Sequence, residues 1–295
     1  MHKFIQKFSG MKPPIVCPSF YKLQPGFGCL GKCRYCYLRA TYIRQCKGEV
    51  PRPTLYMNTE PGMLLKEFKR FCEEMSEPQL LNLGELSDSL AFEDEWYHGA
   101  GSLSRFVIEM FRSQTTHKAL FLTKLSIIQN VLEAQPTDQV IFSFSFNPPS
   151  VIEKCGEPNN LSWRIQSSIA LQKAGWHVRG RIDPIIPELI KDYEQLIPKL
   201  VHLERITLGS LRINNRQLPR TYPSFWNAFL PKMWKVNANC YRFPIEEDMV
   251  AFSRILEWLQ ESGFRGEVAL CKEPLDVWKG LGLAEYKNPK CNCVL

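Results

Sequence analysis

The chain has 295 residues, 44% hydrophobic and 23% charged, with a formal net charge of +7 and 11 cysteines. This composition supports a sizeable core, and the longest apolar runs, Ala119-Leu120-Phe121-Leu122 and Val140-Ile141-Phe142, are too short to span a bilayer. Met1 to Lys7 lack the apolar core of a signal peptide, so a cytoplasmic protein with no membrane partner is expected; there, so many cysteines argue for metal or redox use rather than disulfides.

Short apolar runs alternate with amphipathic stretches along the chain. Ile15 to Leu23 reads as a first strand, with a cysteine-bearing loop directly after it. Pro61 to Met75 has helical periodicity, Gln79 to Gly84 reads as a strand and Leu103 to Ser113 as a helix. Lys118 to Thr123 is a strand, Ser126 to Ala134 a helix and Gln139 to Ser145 an alternating strand. Leu161 to Ala174 is a helix ended by Gly175, and the strand Trp176 to Ile182 is stopped by Pro184. Leu189 to Leu203 is helical, and Arg205 to Gly209 is a sixth strand. The pattern breaks at Pro219, Pro223, Pro231 and Pro244. A helix from Ile245 to Ser262 and a strand from Glu267 to Cys271 then precede the last cysteines.

Six strand–helix units predict an α/β fold: a partial (β/α)6 TIM-type barrel over 23–213, after a lead-in segment 1–22 and before a C-terminal cysteine-bearing extension 214–295. In parallel α/β sheets chemistry gathers at the carboxyl ends of strands. The cysteine loop, Gly84-Glu85, Thr123-Lys124, Ser143 to Asn147 and Arg181 to Asp183 all fall there.

The densest chemical signal is Cys29, Cys33 and Cys36, spaced Cys-x3-Cys-x2-Cys. Thiolates that close in sequence converge on one inorganic centre. Three ligands hold a four-iron cluster and leave one iron open to a small molecule. A zinc knuckle or a plain redox site is the alternative. Zinc sites, however, usually add a second cysteine pair or a histidine pair, and His2 and His98 are remote in sequence.

This spacing resembles that of radical S-adenosylmethionine (SAM) enzymes. The resemblance implies a [4Fe-4S] cluster on Cys29, Cys33 and Cys36 whose open iron chelates SAM, yielding a 5′-deoxyadenosyl radical on reduction. It further implies that Gly84-Glu85 meets the SAM amino group, Lys124 its carboxylate and Ser143 or Ser145 its ribose, with Arg181 and Tyr35 as further cofactor contacts. The run Cys29 to Leu38, then Arg181 to Pro187, then Thr207 to Arg212, is similar in particular to the spore photoproduct lyase family. That similarity implies radical chemistry on nucleic acid, fed by a reductant such as flavodoxin or ferredoxin; the characterised member splits a methylene-bridged thymine dimer in spore DNA. Tyr35 and Tyr37, flanking Cys36, match the family's hydrogen-relay tyrosines and are the catalytic candidates. One departure stands out: the family's donor cysteine precedes a Thr-Ser-Asp run, and before Ser87-Asp88 this chain reads Gly84-Glu85-Leu86.

Cys271, Cys291 and Cys293 form a second group, read as a second iron–sulfur cluster, with zinc or a set of plain thiols as alternatives. Cys17, Cys240 or substrate would supply a fourth ligand. Arg212, Arg216, Arg220, Lys232 and Lys235, interleaved with Tyr222, Phe225, Trp226 and Trp234, suit nucleic acid or an ordinary packed loop. The expectation is a radical SAM enzyme that repairs or modifies nucleic acid. The rivals are radical modification of a peptide or small metabolite, and a non-catalytic iron–sulfur protein that binds nucleic acid.

Overall fold

The computed structural model describes residues 3–11, 13–42, 44, 47, 49–55, 61–93, 102–237, 240–283 and 289–295; His2, Cys46 and His98 lie outside them. The strands that position the site are β1 (Ile5–Phe8), β2 (Ile15–Val16), β3 (Phe20–Leu23), β4 (Leu80–Asn82), β5 (Lys118–Thr123), β6 (Val140–Ser145), β7 (His177–Ile185) and β8 (Arg205–Ser210). They are followed by β9 (Arg212–Ile213), β10 (Trp234–Asn237), β11 (Cys240–Arg242), β12 (Glu267–Leu270) and β13 (Glu273–Pro274). The main sheet runs β1-β3-β4-β5-β6-β7-β8-β12. All its pairs are parallel except β1 with β3.

The fold is therefore the expected parallel α/β sheet, with two additions. β12 joins as a seventh parallel strand, and β1 caps the other edge antiparallel, so sheet strands lie on both sides of residues 23–213. The single strand expected at Ile15 to Leu23 is two, because Cys17-Pro18-Ser19 interrupts it: β3 enters the main sheet, and β2 pairs with β13. β7 does not stop at Pro184 but runs to Ile185. The helix expected at Leu189 to Leu203 is replaced by two 3-10 helices, Pro187–Tyr193 and Ile197–Leu200. Pro198 removes a backbone donor there, which a continuous helix does not tolerate. The helix expected at Ser126 to Ala134 shrinks to Gln129–Leu132.

Helices cover the outer face. In α1 (Pro61–Glu74), Leu64, Phe68 and Phe71 recur at helical spacing and are buried, with Phe68 against Phe111 of α2 (Leu103–Arg112) at 4.6 Å. Ser102 caps α2, accepting from the Arg105 amide. α3 (Leu161–Lys173) ends before Gly175, whose φ of +96° is the turn expected there. α4 (Ile245–Glu261) carries Asp248 in its first turn, buried and accepting from Ser210 Oγ at 2.5 Å.

Burial pushes the Asp248 carboxyl up to about 6, against the lowering effect of the Ser210 bond. The protonated form thus adds stability in full below the ordinary aspartate value, and that contribution is lost as pH rises through about 6. Denaturant unfolding between about pH 4 and 7 should show this decline in wild type and lose part of its slope in Asp248→Asn. Identical profiles would remove Asp248 as the cause.

Inside the barrel the strands alternate faces. Phe142 and Phe144 of β6 point into the helix-covered core, where Phe142 stacks on Phe121 and meets Trp176 edge-on. Ser143 and Ser145 point inward. Leu80, Leu120 and Ile141 make a small apolar cluster of their own. Above it, the Asn292 amide donates to Ser143 Oγ and to the Gly180 carbonyl, both at 2.6 Å, and its oxygen accepts from Thr207 Oγ1 at 3.0 Å. Arg179 and Arg205 hold the carbonyls of Cys291, Asn292 and Val294. Residues 291–294 are thereby plugged into the barrel interior. Ser143→Ala should cost about 1–3 kcal/mol of stability, because the buried Asn292 amide loses an acceptor, and should leave SAM affinity unchanged. A weakened SAM affinity at unchanged stability would refute this.

Candidate active site

The cysteine loop leaves β3 and is held by backbone bonds from both sides. The Gly28 amide donates to the Leu86 carbonyl and the Cys29 amide to the Pro51 carbonyl, each at 3.0 Å. Gly28 has φ +91°, and a Cβ there would lie 2.3 Å from the Arg52 carbonyl oxygen, so only glycine fits. Arg39 ties the far side, donating to the carbonyls of Cys33 and Lys32. Arg34 does the same to Lys154.

All three cysteines face one cavity of about 230 Å³ at the carboxyl ends of the strands. Its walls also carry Tyr35, Tyr37, Gly84, Glu85, Lys124, Ser145 and Arg181. The sequence candidates are thus gathered in one place, with the exception of Ser143, whose hydroxyl is engaged by Asn292 below. Burial raises all three thiols, with Cys29 pushed up to about 12 and Asp88 adding to the effect. A metal removes those protons on binding.

Glu157, a residue that nothing in its local sequence singled out, lies behind the cavity lining and ties together Tyr35 and Lys124 of its wall. Its Oε1 accepts from Tyr35 OH at 2.6 Å, Asn147 at 2.8 Å and Lys124 Nζ at 3.0 Å. Arg164 lies 3.6 Å from its other oxygen, and both of these side chains are fully buried. Lys124 also donates to the Asp183 carbonyl and sits over the Tyr35 ring at 5.8 Å. Burial and the neighbouring Glu157 carboxylate hold the Tyr35 phenol well above its ordinary range, so it remains an O–H donor. Tyr37 donates to the Glu85 carbonyl.

Asp183, named in the sequence only as part of the strand end Arg181 to Asp183, is the second organising carboxylate. Burial would raise its carboxyl, but Arg212 and Arg181 override that and hold it at about 2. Arg181 donates to Asp183 at 2.7 Å and to Cys271 Sγ at 2.8 Å. Asp88 accepts from Thr123 Oγ1 and the Lys124 amide, which fixes the strand end that carries Lys124. Glu85 is bonded by Asn82, whose Nδ2 also reaches Cys293 Sγ at 3.7 Å.

The residues present fit a cluster and a zwitterionic cosubstrate. Three soft thiol donors share one cavity, and none is in a disulfide. Gly31 lies between Cys29 and Cys33, its Cβ position 3.4 Å from Cys29 Sγ and 3.7 Å from Cys33 Sγ. A carboxylate (Glu85) and an ammonium (Lys124) both line the cavity.

The family model for spore photoproduct lyase matches residues 6–210. The chain belongs to the spore photoproduct lyase family. The enzyme of that name from Bacillus subtilis (strain 168) is 28% identical over 181 residues, covering 61% of this chain and 48% of the relative. The chain spans about half the length of the curated relatives it matches. Among solved structures, a spore photoproduct lyase variant with dinucleoside spore photoproduct superposes with a TM-score of 0.71 at 20% identity, covering 90% of this chain and 79% of that one. Another variant, with bound AdoMet and the same dinucleoside, gives 0.69 at 18% identity, covering 88% and 78%. These likenesses show the fold, which is that of the family's partial barrel. Family membership also carries the expectation of SAM and a [4Fe-4S] cluster, which the cysteine loop fits.

The basic and aromatic residues from Arg212 onward have three fates. Phe225 and Trp226 are core residues, and Arg212 lines the cavity. Arg216, Arg220, Lys232, Trp234 and Lys235 remain at the surface, with Lys232 paired to Glu188. No helix among the described residues is long and apolar enough to cross a membrane.

Proposed function

We propose that the chain is a radical SAM enzyme acting on a damaged or modified base in nucleic acid. The observation that carries this reading is the convergence of Cys29, Cys33 and Cys36 with Glu85 and Lys124 on one cavity, in a chain of this family. Cys29, Cys33 and Cys36 would hold the [4Fe-4S] cluster. Bound together, cluster and SAM supply a 5′-deoxyadenosyl radical for hydrogen abstraction. Glu85 and Lys124 offer opposite charges to the ammonium and carboxylate of the cosubstrate, and Ser145 a hydroxyl. Tyr35 and Tyr37 stand on either side of Cys36 with their hydroxyls fixed by Glu157 and the Glu85 carbonyl. The recessed cavity limits the access of water to reactive species.

Substrate class follows from relatives that carry the dinucleoside spore photoproduct and from the exposed Arg216, Arg220 and Lys235. A base within a duplex must be extruded to reach such a cavity. The proposal includes a low-potential reductant of the flavodoxin or ferredoxin type, a second iron–sulfur centre on Cys271, Cys291 and Cys293, and a reducing cytoplasmic setting.

The test is anaerobic reconstitution with iron and sulfide, then dithionite and SAM. The expected product is 5′-deoxyadenosine, with deuterium carried into it from a labelled thymine-dimer dinucleotide or oligonucleotide. No 5′-deoxyadenosine from fully reconstituted protein would overturn the enzymatic reading. Release without label from any nucleic-acid substrate would overturn the substrate class.

A further inference from the structure

We infer that Cys17, Cys271, Cys291 and Cys293 are the four protein ligands of a second iron–sulfur cluster, one with no open iron. The inference rests on the second centre proposed above and completes its ligand set.

Four thiols line the cavity from three separate segments. Cys271 follows β12 on the same face as Ala269, with its amide bonded to the Leu208 carbonyl at 2.7 Å. Lys272 then turns the chain at φ +57°, and Glu273 and Pro274 pair antiparallel with Val16 and Ile15. Continuing that register sets Cys17 beside Lys272, next to Cys271. Cys291 and Cys293 are delivered by the Asn292 plug, whose bonds to β6, β7 and β8 fix both flanking residues. The remaining candidate, Cys240, lies in β11 and does not line the cavity. The fourth ligand that sequence left open among Cys17, Cys240 and substrate is therefore Cys17.

Two of the sulfurs already accept hydrogen bonds. Cys271 Sγ takes N–H groups from Arg181 at 2.8 Å and Arg212 at 3.5 Å, and Cys293 Sγ takes one from Asn82. Guanidinium donors on a sulfur match a negatively charged, metal-bound ligand, and such bonds tune a cluster's potential. Four cysteines around one cavity match the four-thiolate set of a closed cluster. Each thiol gives up its proton on binding.

The test uses the full chain reconstituted anaerobically. Wild type should hold about eight irons, and SAM should perturb the reduced electron paramagnetic resonance signal of one cluster only. The Cys29→Ala/Cys33→Ala/Cys36→Ala variant should keep about four irons, with a signal indifferent to SAM. Cys17→Ala should either lose about four irons or yield a second [3Fe-4S] signal on mild oxidation, because a cluster with three ligands sheds its unprotected iron. Cys240→Ala should match wild type. If Cys17→Ala disturbs folding, Cys17→Ser supplies the readout through a shifted reduced spectrum of the SAM-indifferent cluster. About four irons in wild type, stoichiometric zinc on the second set, or Cys17 variants indistinguishable from wild type would overturn the inference. Release of 5′-deoxyadenosine is scored separately: release with one cluster removes this inference alone, and two clusters without release remove the proposed activity alone.

Discussion

Replacing any one of Cys29, Cys33 or Cys36 with alanine is expected to abolish 5′-deoxyadenosine formation. The loss should exceed about 100-fold, since even a partner of a metal ligand is commonly worth 10–100-fold and these residues are the proposed ligands themselves. The geometry leaves no substitute. Arg39 and Arg34 pin the loop, and all three of its cysteines line the cavity. The other four cavity thiols belong to different segments, held by the β2–β13 pair and the Asn292 plug. The measurement is product release per reconstituted chain, alongside retained secondary structure. Activity within about tenfold of wild type would show that the loop does not hold the catalytic centre.

The largest effect on stability is expected at Glu157. Its carboxylate is fully buried and serves Tyr35, Asn147 and Lys124 at once, with Arg164 close by. Alanine there strands the Arg164 cation and leaves Lys124 with the Asp183 carbonyl and the Tyr35 ring but no carboxylate partner. Removing one partner of a buried charge pair costs about 3–5 kcal/mol, mostly because the remaining charge stays desolvated. Glu157→Gln keeps hydrogen-bonding capacity and should cost less, about 1–3 kcal/mol. Denaturant unfolding of the anaerobic apoprotein reads both. A Glu157→Ala protein within about 1 kcal/mol of wild type would mean that the network is not a structural keystone. The same variant should weaken SAM binding, because Lys124 loses the contact that orients it.

These two expectations show different kinds of legibility. The cysteine loop could be read directly, since three ligands within eight residues carry their spacing in the chain itself. The strand ends could be read as well: Gly84, Glu85, Lys124, Ser145 and Arg181 all line the cavity. Glu157 could not, because it stands in a loop between two helices, and its importance comes from Tyr35, 122 positions away. Ser143 has the alternation of an inward-facing residue, yet whether it meets cosubstrate or plug depends on where residues 291–294 go. Phe225 and Trp226 suited either a stacking surface or a packed loop and are core, because aromatic composition does not say which face is covered.

By itself the sequence determined the parallel α/β class, most of the strands and long helices, and the triad of thiols. All of these are properties of spacing over a few to some fifteen residues, where the periodicity of helix and strand and the reach of one loop decide the outcome. Only the tertiary structure decided that β12 extends the sheet, that Cys17 stands beside Cys271, and that Asn292 fills the barrel. Those facts depend on strand register and on buried polar groups finding partners far along the chain. Such pairings are set by the summed packing of the whole fold, and no local stretch encodes them.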